Sequence, residues 1–132
     1  MLALEINQIL KSFRNIAIVG LSPKESRPSN QVARYLIEAG YNVIPVNPGQ
    51  GEILGRKCYP DLGSIPEPIE IVDIFRRSED IPPIVSSAIK IRAKVVWMQL
   101  GIVNDDAAAE ATKAGLSVIM NRCIKVDHQN LT

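Results

Sequence analysis

Five short stretches of this chain, at 16–19, 41–46, 69–75, 95–100 and 117–120, are rich in Val and Ile and mostly continuous in their apolar character rather than alternating. A strand with one solvated face alternates; a strand covered on both faces does not. The pattern therefore predicts a parallel sheet with helices on each side. The segments between the runs support this with helical spacing. Leu2, Ile6, Ile9, Leu10 and Phe13 share one stripe, as do Val32, Leu36 and Ala39, and then Ile81, Ile84, Val85 and Ala88. A fourth, alanine-rich segment runs from Asp105 to Ala114, with Asn104 placed to cap it and two Asp in its first turn. Gly40 and Gly115 each suit a left-handed cap that leads straight into the next strand.

Strand–helix alternation with right-handed crossovers predicts an α/β fold: one Rossmann-like, doubly wound, five-stranded parallel sheet over 1–132, with strand order 3-2-1-4-5. That order puts the switch point between the first and fourth strands, and ligands bind at the carboxyl ends of such sheets. Pro45 fits it poorly, since the second strand would be central and proline deletes a ladder hydrogen bond there. The expectation is that it lies near the carboxyl end of that strand. From Asn47 to Ile65 the pattern gives way to Gly and Pro, a long loop with one helical turn at Asp61–Ser64.

Composition removes several functions. A formal net charge of +1, without basic runs interleaved with aromatics, argues against nucleic acid. No stretch of about 18 apolar residues offers a membrane span. Two cysteines and one histidine make neither a disulfide framework nor a dedicated metal site. The residues from Met1 to Phe13 lack the pattern of a signal peptide. These features give the expectation of a reduced, cytoplasmic protein.

The unusual residues follow strands. After the first come Gly20, Ser22, Lys24, Arg27 and Ser29, opening into a helix that begins near Asn30. Helix N-terminal amides with nearby hydroxyls and cations suit an anion, so the loop is expected to bind phosphate. Gly20 would admit the ligand to the backbone, and Ser29 by itself reads as the helix cap. Asn47 and Pro48 end the second strand, Phe75 and Arg76 the third, and Gln99 and Gly101 the fourth. Two requirements for NAD fail. Ser22 and Glu25 stand where its fingerprint needs glycines, and Asn47 stands where an acidic residue would hold the ribose. Coenzyme A instead needs local cations for its phosphates, available in Lys24, Arg27, Arg56, Arg76 and Arg77.

Six ordered motifs carry a resemblance: Val19-Gly20-Leu21-Ser22, Arg27-Pro28-Ser29, Pro45-Val46-Asn47-Pro48, Val72-Asp73-Ile74-Phe75-Arg76, Trp97-Met98-Gln99-Leu100-Gly101 and Met120-Asn121-Arg122-Cys123. Together they resemble the small stand-alone CoA-binding proteins, a family similar to the CoA-binding domain of the succinyl-CoA synthetase α subunit. The resemblance implies CoA at the carboxyl edge, with pyrophosphate on the first loop and adenosine towards strands two and three. It implies no reaction.

Cys123 and His128 can be read as a nucleophile and its base, or as a half-buried thiol and a residue on a solvated tail beside Asp127. Asp73 and Glu79 read as a capping or solvated pair, and Trp97 as core. The sequence thus points to a non-catalytic module for CoA or acyl-CoA, with any protein partner left open. An NAD(P)-dependent enzyme and an interaction domain without ligand are the alternatives.

Overall fold

The computed structural model describes residues 2–131; Met1 and Thr132, the ends of the expected domain, lie outside them. The five apolar runs form parallel strands β1 (Asn15–Val19), β2 (Asn42–Val46), β5 (Ile71–Ile74), β6 (Val95–Met98) and β7 (Ser117–Ile119). A two-residue antiparallel hairpin, β3 (Glu52–Ile53) and β4 (Arg56–Lys57), lies within the long loop after β2. Five helices accompany them: α1 (Leu2–Ser12), α2 (Pro28–Glu38), α3 (Ile81–Lys90), α4 (Asp105–Lys113) and α5 (Ile124–Gln129).

Alternate strand residues feed two cores. Ile16, Ile18, Ile71 and Trp97 pack with Ile6, Ile9 and Leu10 of α1, Val32 and Leu36 of α2, and Ile124 of α5. Ala17, Val19, Val72, Ile74 and Met98 pack with Ile81, Val85 and Ala88 of α3 and with the alanines of α4. Covering both faces is what removed polar alternation from these strands. Trp97 is fully buried, as expected, and its Nε1–H donates to the Arg122 carbonyl. Asn104 caps α4, its side chain accepting from the Ala107 N–H, and Asp61 caps a 3-10 turn at Leu62–Ser64.

The Rossmann-like α/β class holds, and the order of its strands is corrected. The sheet runs β2-β1-β5-β6-β7, which is 2-1-3-4-5 when only the parallel strands are counted. The third parallel strand pairs with the first, Ile18 opposite Asp73, instead of lying outside the second. Pro45 supplies the physical reason. Its carbonyl points away from β1 and accepts from the Tyr59 N–H, so the N–H it lacks would also have faced outward. A strand without that donor fits an edge. The switch point consequently falls between β1 and β5.

Three helices end in the same left-handed turn. After α2 and α4 the turn residue is Gly40 or Gly115, as the sequence suggested; after α3 it is Arg92, at φ +61°. In each case the next residue donates five positions back, as Ala93 does to Ala88. Arg92 is exposed and pays the steric cost of a Cβ in this conformation. Arg92→Gly should therefore stabilise the fold by about 0.5–1 kcal/mol, read as a higher urea midpoint with an unchanged slope.

His128 is not on a solvated tail. Its ring stands edge-on to Tyr35 and Tyr41, and its Nδ1 shares a 2.6 Å hydrogen bond with the Tyr35 hydroxyl. Burial, and secondarily the charge of Arg14, lower its pKa below the ordinary 6.5. The unfolded chain therefore takes up the proton more readily. The stability owed to neutral His128 is complete above pH 6.5 and is lost as pH falls through the lower folded value. In thermal melts between pH 7.5 and 5, His128→Gln should show a shallower fall in Tm than wild type.

Candidate functional site

All five parallel strands end on one side, and three adjoining hollows follow that carboxyl edge. The first, about 360 Å³, is lined by Gly20, Ser22, Lys24, Arg27, Ser29 and Phe75. The second, about 700 Å³, lies among Val32, Phe75, Arg76, Gln99, Gly101 and Cys123. The third, about 220 Å³ and mainly apolar, lies among Val46, Pro48, Leu62, Arg76 and Ile84. Phe75 belongs to the first two and Arg76 to the last two, so the three make one interrupted groove. Its centre is the switch point between β1 and β5, where such sheets take ligands.

The first hollow is shaped by hydrogen bonds within its own loop. Ser29 is buried; it lies inside α2, and its hydroxyl accepts from the Ser22 N–H. The cap position belongs to Arg27, whose side chain makes no capping bond, so Ser29 braces the loop and does not cap the helix. Asn30 donates to the Ser22 carbonyl, and Asn47 donates to the carbonyl of Leu21. Asn47 thereby ties the end of β2 to the loop and lines none of the hollows. Lys24 and Arg27 are exposed at the rim. The uncapped first turn of α2 adds the positive end of its dipole. This end of the groove is electropositive.

Gly20 lines this hollow, and its missing side chain also serves the sheet. It adopts φ +87°, and a Cβ there would lie 2.5 Å from the backbone oxygen of Phe75 and 3.1 Å from Nε of Arg76. Its open side faces the neighbouring strand end. A side chain at this position would push β1 and β5 apart and would not simply obstruct a ligand.

Arg76 is half-buried, and its guanidinium makes no hydrogen bond or ion pair among the described residues. The neighbouring Arg77, exposed at the edge of the second hollow, is turned to Glu79, 3.0 Å away, and to Asp80. Arg76 is therefore the available cation at the middle of the groove. Arg56 is remote from it, donating instead to Asn42 and the Val43 carbonyl.

At the far wall, Gln99 is buried and its Oε1 accepts from the Ile124 N–H, starting α5. Cys123 precedes that helix and faces the second hollow. Gly101 donates its N–H to Oδ1 of Asn121, at 2.7 Å, joining two of the loops that frame this wall. Asn121 holds φ +58° to do so. Its contribution was visible in the sequence only as part of a motif. Arg122 clamps Asp127 with two bonds of 2.8 and 2.7 Å, fixing α5 against the turn before it. No hydrogen bond among the described residues joins Cys123 to His128, whose Nδ1 is bonded to the Tyr35 hydroxyl and whose ring stands edge-on to Tyr41.

Asp73 is also placed differently from its reading as a solvated or capping residue. It is fully buried in β5, with neither carboxyl oxygen hydrogen-bonded, and desolvation raises its pKa well above the ordinary 3.8.

Comparison with known proteins gives this geometry a family. The sequence profile of a CoA binding domain matches residues 14–129. The chain belongs to the CoA-binding domain family. It is 44% identical over 124 residues to the uncharacterized protein YneT of Bacillus subtilis, covering 94% of this chain and 92% of that one. A 67-residue match at 34% identity links it to the ADP-forming acetate–CoA ligase I of Archaeoglobus fulgidus, covering 51% of this chain and 10% of the ligase. The fold superimposes with a TM-score of 0.95 on a hypothetical protein from Pyrococcus horikoshii, 46% identical, with 98% of this chain and 91% of that one covered. No described helix is long and apolar enough to cross a membrane, and no described cluster of three potential ligands could hold a metal.

Because Gly20 meets the Phe75 backbone, Gly20→Ala should cost about 2 kcal/mol or more in urea unfolding. The loss should appear with no ligand present.

Proposed function

We propose that this domain binds coenzyme A or an acyl-CoA along the groove and performs no reaction of its own. The observation that carries the reading is the order of chemistry along the edge. An electropositive hollow on the first loop adjoins an unpaired arginine, and that arginine adjoins an apolar hollow beside the end of β2. In this reading the pyrophosphate lies by Ser22, Lys24, Arg27 and the start of α2. The adenosine lies between Pro48 and Ile84, and Arg76 takes the ribose 3′-phosphate. Phe75, Gln99 and Gly101 border the larger hollow, which takes the pantetheine arm. Ser29 and Asn47 act from behind, holding the loop in shape. Membership of the CoA-binding domain family supports the ligand class.

The NAD alternative is weaker for a structural reason besides the absent glycines. The side chain at the end of β2, where a ribose-binding acid would stand, is an amide committed to the Leu21 carbonyl. The reading without turnover is supported by the engagement of His128 with two tyrosines and by the lack of a hydrogen bond between it and Cys123 among the described residues. A soluble, cytoplasmic module that hands its ligand to another protein, or withholds it, fits these features.

Calorimetry with CoA, dephospho-CoA, NAD and NADP tests the proposal. Wild type should bind CoA in preference to all three others. Arg76→Ala should erase the preference over dephospho-CoA, a loss of about tenfold to a hundredfold for a charge-assisted contact. Equal binding of CoA and dephospho-CoA by wild type would remove Arg76 from this role, and sustained hydrolysis of acetyl-CoA would show an enzyme.

A further inference from the structure

Asp73 has a consequence for the groove that lies above it. Strand register sets it between Ile18 of β1 and Trp97 of β6. Alternation along β5 puts its side chain on the face covered by α1, α2 and α5, since Val72 and Ile74 belong to the opposite core. Two residues further along the same three strands stand Gly20, Phe75 and Gln99, all of which line the groove. Asp73 is therefore one side-chain layer, roughly 7 Å, beneath the floor.

Neither of its carboxyl oxygens has a hydrogen-bond partner among the described residues. No Lys, Arg or His is among the buried residues that the structure describes. The indole N–H of Trp97 is taken by the Arg122 carbonyl, and Oε1 of Gln99 by the Ile124 amide. Burial disfavours the ionised form of a carboxyl so placed, and its protonated form has an O–H to donate. A buried polar group without a partner is costly, so the completed site is expected to provide one. Ile18, Trp97 and the helices close the sides, which leaves the floor as the way in.

We infer that Asp73 is a ligand-binding residue: as a carboxylic acid it donates its O–H to an amide or thioester carbonyl of an arm lying between Phe75 and Gln99. The half-buried ring of Phe75 turns aside to admit the contact. Gln99, whose oxygen is committed to α5 and which lines the same hollow, is the second donor this reading gives the carbonyl. The inference rests on the reading that the larger hollow takes the arm of a CoA-type ligand, and it adds what that arm meets.

The test compares wild type, Asp73→Asn and Asp73→Leu. Infrared difference spectra should show a carboxylic C=O band in wild type that is missing from Asp73→Asn and moves when CoA is added. By calorimetry, CoA should bind Asp73→Leu about fivefold to tenfold more weakly than wild type. Adenosine 3′,5′-bisphosphate, which lacks the arm, should bind both alike. Asp73→Leu should also melt higher than wild type without ligand, because it removes an unpaired buried group; Asp73→Ala, which is smaller and likewise has no donor, serves if the Leu variant does not fold, since Asn would keep an N–H to donate. CoA binding by wild type with unchanged affinity in the donor-less variant, or a band that CoA does not move, overturns this inference alone. Failure of wild type to bind CoA overturns the CoA reading and this inference with it.

Discussion

The close approach of two backbones at the end of β1 organises the molecule. Gly20 turns out of its strand with its missing side chain directed at the Phe75 carbonyl, and this lets the first and third parallel strands lie side by side to their last residues. Everything in the groove is measured from that contact. It brings the loop carrying Lys24 and Arg27 against Phe75, and it sets Arg76 over the junction, where one guanidinium borders two hollows. The space for a ligand and the integrity of the sheet therefore depend on the same glycine.

Around the junction, residues divide into those that face the groove and those that hold its walls. Ser29, Asn30 and Asn47 spend their polar groups on the backbone of the first loop, fixing its amides and carbonyls from behind. Gln99 and Asn121 do the same for the opposite wall. A loop braced by several short-range hydrogen bonds loses little further freedom when an anion arrives, which is how preorganisation adds to affinity. The cations, by contrast, are left exposed or unpaired at the rim and centre. The polar residues of this site build its shape, and the cations give it its sign.

Much of this was legible in the sequence because burial on both faces leaves a continuous apolar run that does not depend on knowing the neighbours. Strand order was not legible in the same way. It turned on Pro45, whose poor fit to a central strand was visible but whose outward-facing carbonyl was not. The β3–β4 hairpin was hidden because its turn is Leu54-Gly55, with Leu54 at φ +55°, and lacks the Asn or Asp that usually marks such turns. A six-residue α5 is too short to show periodicity, so His128 read as part of a tail. Asp73 misled for the opposite reason. Its residue type suggests solvent, and only the register of three strands reveals a carboxyl sealed inside the sheet.

The edge strand has a further consequence, for how copies of this domain can and cannot join. Along the outer side of β2, the carbonyls of Val43 and Pro45 and the N–H of Asn47 are already engaged, by Arg56 and by Tyr59. Pro45 has no N–H to offer an incoming chain. That border of the sheet is closed to strand addition, by an occupied ladder and a missing donor. The opposite border is β7, only three residues long, and a short edge gives a foreign strand little to grip. A sheet with one border sealed and the other brief resists growing by backbone pairing.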